Sequence, residues 1–511
     1  MRTPRNQRYV ADIQPAPLPD GSLLAAVDLG SNSFHLIIAR VEHDEMRPVE
    51  ALSEKVQLGA GVVDDKLSED AIQRGLDCLS RFAQLLGSVE PERVRVVGTN
   101  ALRQAHNRRD FTVPAREILG TRVDVIYGSE EARLVYLGVA HTLADDARAR
   151  LVVDIGGGST EFIIGERFEP RRLESLQMGC VTFTRDCFPD GKITEGNYKR
   201  AYNMARLEVS HIAGRFNRKH WEECVGSSGT LNAIDALVTA AGWSSGGITR
   251  KALAKLEKKL LKFKQFEDIN LPGLSDNRRN VIVAGVAITC ALFDILDIQE
   301  MRTSKGALRE GVIYDLMGRL SHEDVRERTV NALAQRYSVD EGTANIVERR
   351  CRLFYDATRA AWKLDKQDWE LLHWTARTHE IGTAISHKHF NRHSAYLLRN
   401  ADLPGFSQEE QELMAVLAQG QRGKADSSLQ EAIAQARHTH LHYLLAILRL
   451  AGRFKYVEAL EELPDFNVEA EEASIALAFP EGWMDSHPLT VSELEQEQAQ
   501  LGKLGLELRF A

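Results

Sequence analysis

The sequence predicts an α/β chain with two duplicated lobes, followed by an all-α domain and a small mixed α/β domain at the C-terminal end. The duplication is read from two matching segments 126 residues apart, VDLGSNSFHLII (Val27–Ile38) and VDIGGGSTEFII (Val153–Ile164). Each runs from apolar residues to an Asp, through a bend of Gly, Ser or Asn, into a second apolar run, which is a hairpin pattern. The layering is read from strand-like runs that alternate with helically spaced apolar residues. The all-α domain is read from the loss of strand signals after about residue 319.

In chain order, residues 1–21 carry Arg2, Arg5 and Arg8 and then prolines. That is a flexible arm and not the apolar segment of a signal peptide. Lobe I is placed at 22–135. It has a hairpin from Leu23 to Arg40 and a helix opened by Ser68, with Ile72, Leu76, Leu79, Phe82 and Leu86 on one face. Strands at 94–97 and 123–127 follow, and a helix begins after Gly128-Ser129. Lobe II, at 136–318, repeats the alternation from Leu151. Its bend Gly226-Ser227-Ser228-Gly229-Thr230 leaves a short strand and opens a helix. The helical domain is placed at 319–455. The last domain, at 456–511, has strand-like alternation at 473–479 and 504–510.

The net charge of −9 is unevenly spread: residues 456–511 carry 13 acids and 2 bases, and the first 455 carry 60 acids and 62 bases. The body is therefore nearly neutral, and local basic patches for a polyanion remain open to it. Six cysteines without a C-x-x-C suit reduced, buried thiols in a cytoplasmic protein. The longest apolar stretch, Val281–Phe293, has 13 residues and is too short to span a bilayer. Nothing in the charge pattern calls for nucleic acid.

Small residues in a bend let backbone N–H groups approach a phosphate, and an adjacent Asp holds the divalent cation that phosphates bring. Asp28 and Asp154 occupy that position in the two hairpins. Glu161 lies across the second bend, and Glu130 or Glu131 opens a helix in Gly128-Ser129-Glu130-Glu131-Ala132-Arg133. These carboxylates, converging on one phosphate, meet the needs of anhydride hydrolysis: a base for water, a metal and surrounding donors. The packing alternative for Glu130-Glu131 is ordinary first-turn helix electrostatics. Ser227–Gly229 is a helix N-terminus suited to an anion, and Arg103 is a bidentate phosphate grip. There is no P-loop, because Gly420-Gln421-Arg422-Gly423-Lys424 lacks both the spacing and the Ser or Thr.

Taken together, DLGSNSFH, Thr99-Asn100-Ala101-Leu102-Arg103, GSEEAR, DIGGGSTE, Met178–Cys180, GSSGT and Gly306-Ala307-Leu308-Arg309-Glu310-Gly311 resemble the exopolyphosphatase/guanosine pentaphosphatase family. The resemblance continues through Arg392-His393-Ser394-Ala395-Tyr396. It implies actin-like (ribonuclease H-like) lobes and, as in the long form of the family, an HD-like helical domain. It also implies Glu131 as general base, Glu161 as its partner on water or metal, and Asp154 with Glu161 as ligands of Mg²⁺, often with K⁺. The terminal-phosphate cradle it implies is Asp28, Ser31, Asn32, Arg103, Gly157, Gly158, Ser159, Ser227 and Gly229. A homodimer in the cytoplasm, with peripheral association at the inner face of the membrane left open, completes the set.

In the helical domain the His-Asp pair of a working HD site reads His379-Glu380, and the later Asp reads Gly452. Chain binding or dimerisation is expected there in place of a second hydrolase. Hydrolysis of inorganic polyphosphate is the leading function expected. The second bend reads Gly-Gly-Gly-Ser where the guanosine pentaphosphatase (pppGpp) branch resembles Gly-Gly-Ala-Ser. The alternatives are pppGpp 5′-phosphohydrolysis and a sugar-kinase-like ATP phosphotransferase. A basic path for a long chain is sought between Arg278 and Lys305 and between Arg377 and Arg399.

Overall fold

Strands β1 (Leu23–Leu29) and β2 (Ser33–Glu42) form the first hairpin, with Asp28 opposite His35 and Leu29 opposite Phe34. The computed structural model describes residues 18–42, 45–143, 148–320, 324–460 and 466–511, so most of the arm expected at 1–21 lies outside the described residues. Strand β3 (Glu45–Lys55) extends the hairpin, and β4 (Val94–Gly98) and β5 (Val123–Val125) add in parallel on the other side of β1. The order is β3-β2-β1-β4-β5. Lobe II repeats it. Strands β6 (Arg150–Ile155), β7 (Thr160–Glu166), β8 (Glu169–Leu176), β9 (Glu223–Ser227), β10 (Ile248–Thr249) and β11 (Glu300–Thr303) stand as β8-β7-β6-β9-β11-β10. Apart from the edge strand β10, this is the same 3-2-1-4-5 arrangement, as the actin-like expectation requires.

Strands β1 and β6 are central in their sheets and read as almost unbroken apolar runs, as strands covered on both faces do. Helix α1 (Glu69–Leu86) covers lobe I and is capped by Ser68, whose Oγ accepts from the N–H of Ala71 at 3.3 Å. Helix α2 (Gly128–Ala140) follows β5. In lobe II the longest apolar stretch forms α3 (Ile282–Ile295), buried on nearly every side, which makes it a core helix. No helix among the described residues is long and apolar enough to cross a membrane.

The lobe boundary expected at 135/136 is corrected by the structure, since it falls inside the continuous helix α2. Helix α2 and α4 (Leu308–Leu320) share one core with both sheets: Leu24 and Ile37, Val152 and Ile163, Leu134 and Val139, Val312 and Leu316. The two helices meet backbone to backbone. A Cβ on Gly138 would lie 2.1 Å from the carbonyl oxygen of Ala307, and one on Gly311 would lie 1.8 Å from that of Leu134.

Two units are distinguished, Met1–Asp324 and Val325–Ala511. The second is helical from Val325–Arg336 through Leu441–Leu460 and ends in β12 (Asn467–Glu471), β13 (Ser474–Ala478), helix Pro488–Lys503 and β14 (Glu507–Phe510). The separate domain expected at 456–511 is also corrected. Ile475, Leu477, Leu494 and Leu508 belong to the core of Phe354, Trp362 and Leu444. Buried Arg449 is bound to Glu497 through Nε at 2.7 Å and Nη2 at 3.0 Å, which pins the terminal helix to the bundle. All six cysteines are buried and unbridged.

The glycine contact yields the first expectation. Gly311→Ala should destabilise the protein by at least roughly 1–3 kcal/mol, because its methyl group would meet backbone that cannot turn aside. A denaturant melt checks this, and an unchanged midpoint would show that the helices are not in contact there.

Candidate functional site

The two hairpin bends face each other. A Cβ on Gly157 would lie 3.1 Å from Cβ of Ser31 and 3.2 Å from the amide nitrogen of Asn32, so the second-lobe bend is stacked on the first. The second bend is closed by the N–H of Gly156 on the carbonyl of Ser159 at 2.9 Å. Helix Cys180–Cys187 caps onto it from behind, through Cys180 to Gly156 at 3.0 Å and Val181 to Gly157 at 2.9 Å. At the end of β9, Ser228 adopts φ 104°, a strained value for a residue with a side chain, and its Oγ accepts from the N–H of Leu231. This opens helix Gly229–Ala240. A Cβ on Gly229 would fall on the guanidinium of Arg278.

These bends surround a cleft of about 240 Å³. Of the residues expected from the sequence, the cleft is lined by Asp28, Ser31, Asn32 and Glu131 from the first lobe and α2, and by Asp154, Gly157, Gly158, Ser159 and Gly229 from the second. Three expected residues do not line it. Glu161 is 1 % exposed, directly opposite Asp154 in the β6–β7 register, and its Oε1 accepts from the Ser175 hydroxyl at 2.9 Å. Ser227 is fully buried, paired in register with Asp154, and donates to the carbonyl of Gly306 at 3.1 Å. Arg103, expected in the cradle, donates through Nη1 to Glu131 Oε2 at 3.1 Å and to the carbonyl of Ile126 at 2.9 Å. Its short helix, Asn100–Gln104, aims the guanidinium at the start of α2.

The sequence did not assign His35, Asn100 or Arg309 to the site, and Arg278 and Lys305 were expected only as the ends of a chain path. All five line the cleft. Four of them, all but Arg278, lie in or beside the quoted motifs, which were read for acids and glycines. Arg309 Nη1 lies 3.3 Å from His35 Nδ1, and burial with the charges of Arg309 and Arg278 pushes that imidazole down to about 4, so it is neutral.

The acids behave in the opposite sense. Burial first, then the charges of Glu131 and Asp154, hold Asp28 well above the usual carboxylate range, against the pull of Arg309. Asp154 is pushed up to about 7 by burial and by Glu131, with the nearby Ser227 hydroxyl and Arg278 pulling the other way. Glu131 is raised by burial against the opposing charge of Arg103, and Glu161 is raised by burial and by Glu131. Like charges held together in a dry place favour a proton or a cation between them. Among the described residues, Asp28 Oδ1 and Asn32 Oδ1 are buried acceptors with no donor, and Arg103 Nη2 is a buried donor with no acceptor. Among the described residues no group of three His, Cys, Asp or Glu side chains is gathered tightly enough to hold an ion alone. Mg²⁺ does not need one, since it commonly takes one or two carboxylates and completes its shell with water and phosphate oxygens.

Residues 37–320 match the Ppx/GppA phosphatase family, and residues 325–498 match Ppx/GppA phosphatase, domain III. The chain belongs to the Ppx/GppA phosphatase family. Its members hydrolyse phosphoric anhydrides, and so does this one. Among the relatives of this family member is a guanosine-5′-triphosphate,3′-diphosphate pyrophosphatase of Photobacterium profundum, 38% identical over 96% of this chain and 98% of that one. A protein of the same name from Pseudoalteromonas translucida is 36% identical over 96% and 98%. The fold is shared with an exopolyphosphatase of Cytophaga hutchinsonii, 23% identical over 59% of this chain and 100% of that one, with a TM-score of 0.53. An exopolyphosphatase-like protein is 25% identical over 59% and 99%, with a TM-score of 0.55.

Proposed function

We propose that this Ppx/GppA phosphatase removes the terminal phosphate of guanosine pentaphosphate, leaving the tetraphosphate and orthophosphate. The observation behind the chemistry is that Glu131 and Asp154, from opposite sides of the molecule, line one cleft between three N–H-rich bends. Support for the substrate comes from two relatives of that name which are similar over almost the full length. Water attacks the terminal phosphorus, Glu131 takes its proton, and the anhydride oxygen leaves on the shortened nucleotide. A raised Glu131 is a better base than an exposed one. Arg103 holds its carboxylate in place, and Glu161 and Ser227 stand beside Asp154 on the two neighbouring strands. The bends donate to the phosphate oxygens, while Arg278, Lys305 and Arg309 balance the substrate's charge. Asp154, with the oxygens of Asp28 and Asn32, would hold Mg²⁺, which would neutralise the phosphate oxygens when bound.

Exopolyphosphatase activity, the leading expectation from the sequence, becomes the second reading, and the cationic wall of the cleft favours it. The Gly-Gly-Gly-Ser bend has a packing explanation instead. A Cβ on Gly158 would lie 2.2 Å from Asn100 Oδ1, so glycine there accommodates a neighbour and carries little information about substrate. The helical unit is read as HD-like in form without that chemistry. Glu380, at the Asp position, pairs with Lys455, and His379 Nδ1 is 2.6 Å from the carbonyl of Ala376. A homodimer belongs to the same reading.

Three measurements test it. With Mg²⁺ present, kcat/KM should be higher for guanosine pentaphosphate than for long polyphosphate; the reverse order installs the second reading, and no release from either removes both. Glu131→Gln should lower kcat by at least about 100-fold while substrate binding persists. The parent's activity should fall on acidification along a limb above the ordinary glutamate range of 4.5, because the base must be ionised and burial raises it. Full activity of the variant would exclude Glu131 as base.

A further inference from the structure

The two glutamates that open α2 point to different places. Glu131 faces the cleft, whereas Glu130 is 2 % exposed and turned into a cluster of buried ions. Arg133 grips Glu130 with two bonds, Nε to Oε2 at 2.7 Å and Nη2 to Oε1 at 2.9 Å. The same Nη2 pairs with Asp315 on α4. The other oxygen of Asp315 pairs with Arg95 on β4 and with Arg319 Nε at 2.7 Å. Arg95 Nε lies 3.6 Å from Asp124 on β5. Arg122 Nε adds a bond to the other oxygen of Asp124 at 2.9 Å, so four arginines and three acids meet here, all but Arg122 no more than 10% exposed.

Buried ion pairs are weak sources of stability, because desolvation offsets much of their attraction, and apolar packing often serves as well. Their geometric demands are strict, however. Here they join elements that end at the cleft: the first turn of α2 presents Glu131, and the first turn of α4 presents Arg309. The glycine contact between these helices sets their separation but carries no side chain to fix their rotation or slide. Asp315 supplies that restraint, since its two oxygens engage one arginine from each helix and one from the sheet.

We propose that Asp315 is a positioning residue, which joins Arg133, Arg95 and Arg319 to fix α2 against α4 and so aims Glu131 at the reacting phosphate. The inference rests on Glu131 being the base. The test is Asp315→Asn, which keeps the shape, cannot accept equally well from three guanidinium groups and takes one negative charge out of the cluster. Steady-state kinetics with guanosine pentaphosphate should show kcat reduced roughly 10- to 100-fold, the scale of a misplacement of about 1 Å, with KM unchanged. Asp315→Asn/Arg319→Gln, which removes the positive charge that the first change adds to the cluster, should recover most of the loss in kcat, whereas a role in stability alone would show in a denaturant melt with kcat and KM unchanged in both variants. An unchanged kcat in Asp315→Asn, a change confined to KM, or no recovery in the double variant overturns the proposal. If Asp315→Asn does not fold, Arg319→Gln alone is measured: a smaller fall in kcat at constant KM supports the role, and an unchanged kcat overturns it. Glu131→Gln run in parallel separates the two failures. If it is fully active, the base assignment and this proposal both fall; if it is inactive while Asp315→Asn is normal, only the positioning role does.

Discussion

Four carboxyl groups, those of Asp28, Glu131, Asp154 and Glu161, are buried, which raises the affinity of each for protons, and the charge of Glu131 raises that of the other three further. A chain folding for stability alone does not gather like charges away from water. Clustered pKa shifts of this kind in a cleft often mark a functional site. Most of what surrounds them serves to hold them there. Ser175 supports Glu161, Ser227 stands beside Asp154, and Arg103 opposes Glu131.

Duplication explains how two distant stretches of chain reach one cleft. Each lobe ends its central strand in an Asp and a bend of small residues, and the bends stack through Gly157 on Ser31 and Asn32. The helix crossing at Gly138, Gly306 and Gly311 lies behind them and ties the two sheets through one core. Chemistry at the front of the cleft therefore depends on close backbone packing at the back.

Much of this was legible in the sequence, because it is local. Apolar runs broken by Gly, Ser and Asn identify both hairpins, and Ser68 announces its helix. Asp28 and Asp154 stand at matching positions of the repeat, so their common destination follows from it, whereas the residues alone left Glu130 and Glu131 open and the family resemblance singled out Glu131. What remained hidden depends on contacts between residues far apart in sequence. Arg309 enters the cleft only because α4 crosses α2, and Asp315 meets Arg95 across 220 positions. Nothing local distinguishes Glu130 from Glu131 except which way the helix is turned, and that is set by Arg133 and Asp315. Arg103 looks like a phosphate ligand until its carboxylate partner is known. The C-terminal strands look independent until Ile475 and Leu477 are seen in the helical core.

The most direct test of the central claim is diffraction from crystals grown with Mn²⁺ and a non-hydrolysable guanosine pentaphosphate analogue. The account predicts the terminal phosphate between the Ser31 and Gly157 bends, an anomalous peak beside Asp154, and the Glu131 carboxylate facing the terminal phosphorus. A phosphate bound elsewhere, or a Glu131 turned away from it with the metal distant from Asp154, would contradict it.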